Sequence, residues 1–318
     1  MAPHQSAQPL LGIALKVASA IVFTAMATLI KLVSARYPVG ELVFFRSFFA
    51  LIPVFIWVGW RDHQIRAVVN VFRTSRLSRH VIRSILGACG MFLGFSALWL
   101  LPIADATAIG YAAPLMSVVF AVLLLKERVH VFRWTAVAVG LGGVLIMLSD
   151  YVGPVGAGHE RSVTGALVAV AAAVVGALAA TYTRSLTRYE PAATIVVYFS
   201  ALCALFGLFT LPFGWHWPTA EDTLFLVIAG ICGGVAQVLL TQSYRFGDAS
   251  TIAPFDYTSM IWVLIVSLTV FGTWPSPTIL VGTAIVIAAG LFVIWREHRL
   301  GIERTRSKRA QTPTTPLS

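Results

Sequence analysis

The chain has 318 residues, of which 58% are hydrophobic and 11% are charged, and its formal net charge is +10. Soluble globular proteins carry about 25% charged residues, so this composition excludes an ordinary soluble enzyme, a disordered chain and a nucleic-acid-binding module. The mean hydropathy of +0.84 indicates a protein that crosses a membrane several times. The basic residues lie between long apolar runs instead of forming one soluble patch, which also argues against nucleic acid as a partner.

Apolar runs long enough to cross a bilayer follow one another along the chain. A helical span needs about 20 mostly apolar residues, and ten such runs occur. They lie near residues 11–34, 39–60, 82–101, 104–125, 131–149, 163–183, 192–212, 222–243, 249–271 and 277–295. The strands of a membrane barrel would be only about 10 residues long. The predicted fold class is therefore an all-α integral membrane protein with ten transmembrane helices.

The distribution of basic residues predicts the orientation of these helices. If both termini face the cytoplasm, most of the 23 lysine and arginine residues fall in cytoplasmic loops or in the basic tail over 297–318. Outside the spans, only Arg36 and Arg161 then face the other side. Because cytoplasmic loops carry an excess of basic residues, we predict a multi-pass protein of the inner (plasma) membrane with both termini in the cytoplasm. The basic tail is expected to contact anionic membrane lipids.

The two halves of the chain resemble each other, first at a shift of 153 residues and then at a shift of 143. At the first shift, the pairs are Gly12 with Gly165, Thr28 with Thr181, Lys31 with Arg184, Pro38 with Pro191 and Ser47 with Ser200. At the second shift, the pairs are Gly87 with Gly230, Cys89 with Cys232, Gly90 with Gly233, Asp105 with Asp248 and Ile109 with Ile252. We therefore predict two five-helix repeats, over residues 11–149 and 163–296. Five is an odd number, so the second repeat must be inverted in the bilayer, as is typical of secondary transporters.

Charged residues lie deep within some of the predicted spans. Arg46 and Asp256 are each seven residues into a span, or about 10 Å deep at 1.5 Å per residue. A charge at this depth is costly, so each is either half of a structural ion pair or a contact for a substrate or a proton. Lys16 and Lys31 are closer to helix ends and can extend their amines toward the interface.

Two prolines are predicted to kink the fourth and ninth helices, because proline removes one backbone hydrogen bond. At the shift of 143, Pro114 matches Tyr257 and Pro254 matches Tyr111. Polar and aromatic side chains at membrane depth, many of them near these kinks, indicate either helix packing or a substrate site. The predicted substrate-binding residues are Arg46, Trp99, Tyr111, Tyr198, Gln237, Asp256, Tyr257 and Trp262.

The sequence lacks the residues that several other activities require. No Walker A sequence occurs, and no histidine lies in the middle of a predicted span. Catalytic carboxylates are not clustered either, so a membrane-embedded enzyme is the weaker alternative. In a scaffold or receptor the deep charges would have no purpose. The sequence therefore predicts a carrier without metal, cofactor or enzymatic activity, and it leaves the oligomeric state open.

Two further motifs carry a resemblance to a known family. Glu41-Leu-Val-Phe-Phe-Arg46 opens the second helix, and Pro114 is followed by Leu125-Lys-Glu-Arg128 at the end of the fourth. Together with the repeats, they resemble the drug/metabolite transporter superfamily, EamA type, over about residues 11–296. The resemblance implies a secondary transporter that moves a small metabolite by alternating access. Phe271-Gly-Thr273 departs from the family, in which an acidic residue often follows the glycine.

Within that superfamily, Pro254-Phe-Asp-Tyr257 and the segment 295–304 resemble bacterial riboflavin importers. The resemblance implies riboflavin uptake as the first expectation. The flat ring of riboflavin needs aromatic faces and hydroxyl or amide partners. In this chain such groups are offered by Tyr111, Tyr198, Tyr257, Trp262 and Gln237.

Two alternative substrates remain open. S-adenosylmethionine uptake carriers share a similar layout, and their substrate would favour Asp256 or Glu41 near its cationic groups and Arg46 near its carboxylate. Efflux of amino acids or drug-like metabolites is the other alternative.

Overall fold

The computed structural model describes residues 9–62, 71–125, 131–151, 159–187, 189–246 and 252–311. These residues form helices and turns, with no strand among them. The α-helices are α1 (Pro9–Val33), α2 (Val39–Phe49), α3 (Leu51–Asp62), α4 (Leu77–Leu100), α5 (Ile103–Gly110), α6 (Ala112–Leu125), α7 (Val131–Ser149), α8 (His159–Leu186), α9 (Ala192–Leu208), α10 (Ala220–Phe246), α11 (Ser259–Thr269) and α12 (Pro277–Gln311). A 3-10 helix over Ala253–Thr258 precedes α11.

In this part of the chain, eight helical segments are long and apolar enough to cross a membrane. They are Leu10–Val33, Val39–Trp60, Leu77–Leu100, Ile103–Phe120, Val131–Ser149, Val163–Leu186, Ala220–Phe246 and Pro277–Arg296. Two further apolar helices, Ala192–Leu208 and Phe255–Thr269, are shorter. This all-helical chain with several apolar spans is a multi-pass integral membrane protein, as the sequence predicts.

Three spans are interrupted close to a proline. The segment Val39–Trp60 is divided at Ala50, three residues before Pro53, and the next interruption, at Tyr111, lies three residues before Pro114. Proline has no N–H for the carbonyl four residues earlier and its ring clashes with that carbonyl, so the helix breaks within the preceding turn. The third interruption is the 3-10 helix that contains Pro254. Sequence analysis did not anticipate the break at Pro53.

The helices pack in pairs around the middle of the bundle. The most extensive contacts join α1 to α10, α4 to α8, α7 to α12, and α2 to α9. Small residues permit these close approaches. A side-chain carbon at Gly234 of α10, for example, would overlap the carbonyl oxygen of Ala50 between α2 and α3.

Two residues are used below to name the ends of the bundle. The Lys16 end is the end at which α1 begins, and the Tyr37 end is the end at which α1 finishes. The last helix, α12, continues to Gln311 and thus includes much of the basic tail.

Candidate substrate-binding site

A cavity of 270 Å³ lies between α1, α2, α4, α8, α9 and α10. Aromatic rings form much of its wall, namely those of Phe23, Phe95, Phe199 and Tyr244. Its charged and amide lining consists of Arg46, Arg83 and Gln237, and Thr183 adds a hydroxyl. No acidic side chain is among the described residues that line it. We refer to it as the central cavity.

Arg46 reaches the central cavity from α2 and is only 2% exposed. The interruption at Ala50 ends α2 just after it, and the facing residue on α10 is Gly233, which leaves room for the guanidinium group. A side-chain carbon at Gly233 would lie 2.7 Å from Arg46 Nε. Arg46 Nη2 donates a long hydrogen bond of 3.4 Å to the Gly233 carbonyl oxygen. The other two nitrogens, Nε and Nη1, are buried without a hydrogen-bond partner in the described structure.

Arg83 lies on α4 on another side of the same cavity and is 5% exposed. Its Nε donates a 2.9 Å hydrogen bond to Thr183 Oγ1 on α8, whereas Nη1 has no partner among the described residues. Gly87, one turn further along α4, makes space for this guanidinium, because a side-chain carbon there would lie 2.6 Å from Arg83 Nη1. The repeated glycine motif of the two halves thus provides room for both arginines.

The ring of Phe199 on α9 lies close to the guanidinium groups of both arginines. Arg83 Cζ lies 3.7 Å from the ring centroid and Arg46 Cζ lies 5.6 Å from it. The negative face of an aromatic ring attracts a cation, but it offers no countercharge. Both positive charges are therefore held at the cavity by weak partners.

An ion pair with one buried member lies next to the central cavity at the Lys16 end. Lys16 Nζ on α1 lies 2.5 Å from Asp256 Oδ1 in the 3-10 helix, and it lies 5.3 Å from the ring centroid of the cavity residue Tyr244. The Lys16 side chain is 4% exposed and the Asp256 side chain is 41% exposed. The sequence left two explanations for Asp256, a structural ion pair or a contact for a substrate or a proton. In the structure its carboxylate pairs with Lys16.

A second cavity of 350 Å³ adjoins the first. The two share Gly90, Met91 and Phe95 of α4 as a common wall. The second cavity also contacts Leu98, whose carbonyl oxygen accepts a hydrogen bond from Lys31 Nζ near the end of α1. It therefore extends from the middle of the bundle toward the Tyr37 end.

Polar contacts also join the helices at the Tyr37 end. Asp222 of α10 pairs with Arg36 Nη2 at 2.9 Å and accepts a 2.8 Å hydrogen bond from the Tyr37 hydroxyl. Burial and this hydrogen bond raise the pKa of Tyr37, so its hydroxyl remains a donor. Glu41 accepts a 3.2 Å hydrogen bond from the backbone N–H of His216. These contacts hold the ends of α1, α2 and α10 together.

Of the eight predicted substrate-binding residues, Arg46 and Gln237 lie in the described lining of the central cavity. Tyr111 and Tyr257 pack against each other in the core, with ring centroids 5.3 Å apart, and the Tyr111 hydroxyl is 2.8 Å from Ser259 Oγ. Asp256 forms the ion pair described above, so the structure places these three outside the lining.

The remaining three residues are aromatic and lie elsewhere. Tyr198 stacks on His80 with ring centroids 4.7 Å apart and donates a 2.8 Å hydrogen bond to the Phe72 carbonyl oxygen. Trp99 is 41% exposed. Trp262 lies on α11, partly buried, and its indole N–H has no partner among the described residues.

Sequence analysis missed Arg83 as a site residue, because at the start of the third predicted span it counts among the cytoplasmic basic residues. The apolar run begins near residue 82, whereas α4 already begins at Leu77, so Arg83 lies in its second turn. Phe199 also escaped notice, although a shift of 153 residues from Arg46 leads directly to it. The internal repeat is thus the signal that could have found Phe199.

Comparison with known families agrees with this architecture. The EamA-like transporter family matches residues 10–149 and again residues 163–295. The chain belongs to the EamA-like transporter family. It is therefore an EamA-type transporter rather than an enzyme, as the sequence resemblance implied.

Curated relatives carry two different substrate names. An S-adenosylmethionine uptake transporter of Rickettsia bellii is 27% identical over 272 residues, which cover 85% of this chain and 88% of the relative. A riboflavin transporter of Rhizobium johnstonii is 30% identical over 235 residues, covering 74% and 76%. A solved crystal structure shares the fold with a TM-score of 0.65 at 22% identity, covering 91% of this chain and 98% of that one.

Proposed function

We propose that this EamA-type transporter imports a small metabolite with a flat aromatic ring system, by alternating access through the central cavity. The observation that carries the proposal is the aromatic wall of that cavity, because flat rings stack on such faces. Riboflavin and S-adenosylmethionine, the substrates in the names of the two relatives, both contain a flat ring system. Riboflavin remains the first expectation from the sequence resemblance.

We further propose that the chain forms ten spans in two inverted repeats, over residues 11–149 and 163–296. The repeat equates α1 with α8 and α4 with α10. The contact of α1 with α10 then corresponds to the contact of α8 with α4, and both are among the most extensive in the bundle. The repeat also equates α2 with α9 and α7 with α12, so the contact within each of these two pairs is its own equivalent. This exchange of partners supports a two-fold relation between the repeats, which the proposed inverted repeat requires.

Alternating access requires a path that can be closed at either end. The central cavity adjoins the Lys16–Asp256 pair at one end, and the second cavity continues toward the Tyr37 end beyond Met91 and Phe95. We propose that rocking of the two repeats around these shared residues exposes the substrate to each side in turn.

Uptake of both candidate substrates would test the transport proposal. The measurement is time-dependent accumulation of labelled riboflavin and labelled S-adenosylmethionine in sealed proteoliposomes that contain the purified chain. We expect saturable uptake of at least one of them, in chemically unaltered form. If neither compound accumulates in vesicles with correctly inserted protein, the proposed substrate class is wrong, and a chemically altered product would instead indicate an enzyme.

A matched pair of glycine variants would test the path. Gly94 lines the second cavity, and a side-chain carbon there would meet nothing within 4 Å. Gly94→Leu is therefore expected to fill the cavity and abolish uptake without loss of protein. Gly59→Leu on α3 is the control, since its surroundings are equally open and it is not among the described cavity residues. Equal uptake by the two variants would contradict the proposed path.

We propose that the protein resides in the inner (plasma) membrane with both termini in the cytoplasm, on the basis of the basic loops and tail. A fluorescent reporter at the carboxyl terminus is expected to fluoresce, and an alkaline phosphatase reporter at the same place is expected to be inactive. The opposite pair of results would reverse the proposed orientation.

A further inference from the structure

Two buried arginines face the central cavity without an acidic partner. Arg46 and Arg83 are 2% and 5% exposed, and neither forms an ion pair with an acidic side chain in the described part of the chain. Three of their nitrogen atoms, Arg46 Nε and Nη1 and Arg83 Nη1, are buried without a hydrogen bond there. A guanidinium group is always charged in proteins, so it cannot avoid this cost by losing its proton.

Uncompensated charge in an apolar bundle is strongly unfavourable. Deep arginines normally pair with a carboxylate or line a water-filled path. Among the described residues, their partners are the ring of Phe199, one threonine hydroxyl and one carbonyl oxygen at 3.4 Å. The lining of one cavity therefore contains two positive charges whose guanidinium groups keep three N–H donors unpaired in the described structure, an arrangement that fits a bound oxyanion.

Taking the cavity to be the transport site, as proposed above, we infer that Arg46 and Arg83 together bind a carboxylate or phosphate group of the transported metabolite. Planar guanidinium groups match the oxygens of both anions and bind them with two parallel hydrogen bonds. The aromatic wall then holds the ring system while the arginines hold the anionic end. The cargo is thus an organic anion, or a zwitterion with an acidic end, attached to a flat ring.

The inference favours S-adenosylmethionine over riboflavin, and so it disagrees with the first expectation from the sequence resemblance. S-adenosylmethionine carries a carboxylate, whereas riboflavin carries no anionic group. Riboflavin 5′-phosphate has the same ring as riboflavin and an added phosphate. Two ligand pairs that differ in the anionic group are therefore available, namely S-adenosylmethionine with its decarboxylated form, and riboflavin 5′-phosphate with riboflavin.

Binding of these four compounds to the purified chain tests the inference without any mutation. We expect the acidic member of at least one pair to bind about 10-fold more tightly than its matched partner, since a hydrogen bond to a charged group is worth about that factor or more. No preference for the acidic member in either pair would overturn the inference. Acetate and inorganic phosphate are tested alone, and binding of either as tight as that of the metabolites would assign the arginines to a small free anion instead.

Variants of the two arginines test whether these residues cause the preference for the acidic ligand. Arg46→Gln and Arg83→Gln are each expected to remove most of the preference for the acidic member while changing affinity for the other member much less. Lysine at either position should restore part of the preference, because it keeps the charge but loses the bidentate geometry. Arg79→Gln is the control, because Arg79 lies on the same helix, is exposed and is outside the described lining.

The outcomes distinguish this inference from the proposed function. If the protein transports either ring compound but binds both members of each pair equally, the anion site is wrong and the carrier proposal stands. If the acidic member binds more tightly but none of the compounds accumulates in vesicles, the anion site stands and the transport proposal fails. If the glutamine variants cannot be purified, the ligand pairs on the unmodified chain still decide the question.

Discussion

The two residues of the Lys16–Asp256 ion pair differ in burial, so removing one charge should have a larger effect than removing the other. The Lys16 side chain is 4% exposed and the Asp256 side chain is 41% exposed. Asp256→Asn leaves a buried ammonium without its partner. Lys16→Met removes that ammonium and leaves a carboxylate that water can reach. The prediction is that Asp256→Asn is much more destabilising than Lys16→Met.

The expected magnitudes follow from these exposures. An uncompensated buried charge costs about 3–5 kcal/mol, whereas loss of an ion pair with an exposed member costs about 0–1 kcal/mol. At about 2 °C per kcal/mol for a chain of this size, Asp256→Asn should lower the Tm by about 6–10 °C. Lys16→Met should lower it by about 2 °C or less. The double variant should lie close to Lys16→Met, because it no longer contains a buried charge at this site.

Thermal stability of the purified protein in detergent measures this difference. The fraction that remains monodisperse after heating is followed by size-exclusion chromatography for the unmodified chain, both single variants and the double variant. Similar losses in the two single variants would refute the argument from burial. A double variant as unstable as Asp256→Asn would show that the carboxylate contributes by something other than compensating Lys16.

Four further variants, one of them a control, test packing and the extent of the site. Gly234→Ala should lower the Tm, because the added carbon overlaps the Ala50 carbonyl oxygen, whereas Gly59→Ala should not, because its surroundings are open. Trp262→Ala should leave the half-saturation concentration for uptake unchanged, since the ring lies outside the described cavity lining; an increase would return Trp262 to the site. Tyr37→Phe should lower the Tm by removing a hydrogen bond worth about 1.5–3 kcal/mol to a charged acceptor, and an unchanged Tm would mean that water replaces the hydroxyl.

Much of the fold could be predicted because a bilayer imposes simple requirements on sequence. Spans need long apolar runs, and proline breaks helices at a defined distance. The interruption at Tyr111 lies within one turn of Pro114, as this rule requires. Pro53 obeys the same rule at Ala50, although the sequence analysis did not predict a break there.

The site could be predicted only in part, because lipid and protein interior are both apolar. In a soluble protein the polar face of a helix reveals which side points outward, but a transmembrane helix lacks this contrast. Trp99 and Phe95 lie one turn apart on α4, yet Phe95 lines the central cavity and Trp99 lies outside its described lining and is 41% exposed. Buried arginines are better guides to a site, because the free-energy cost of burying a guanidinium charge permits it at few positions.

The Lys16–Asp256 pair also breaks the proposed symmetry of the two repeats. Shifts of 153 and 143 residues relate Lys16 to Ala169 and Asp256 to Ala113. Both alanines line the second cavity. At one end of the path an ion pair thus joins two helices, and at the equivalent place toward the other end small side chains leave an open space. A symmetric scaffold alone would make the two ends equivalent. In the proposed alternating-access cycle, the Lys16–Asp256 pair would therefore provide a contact that closure of one end gains and closure of the other end lacks.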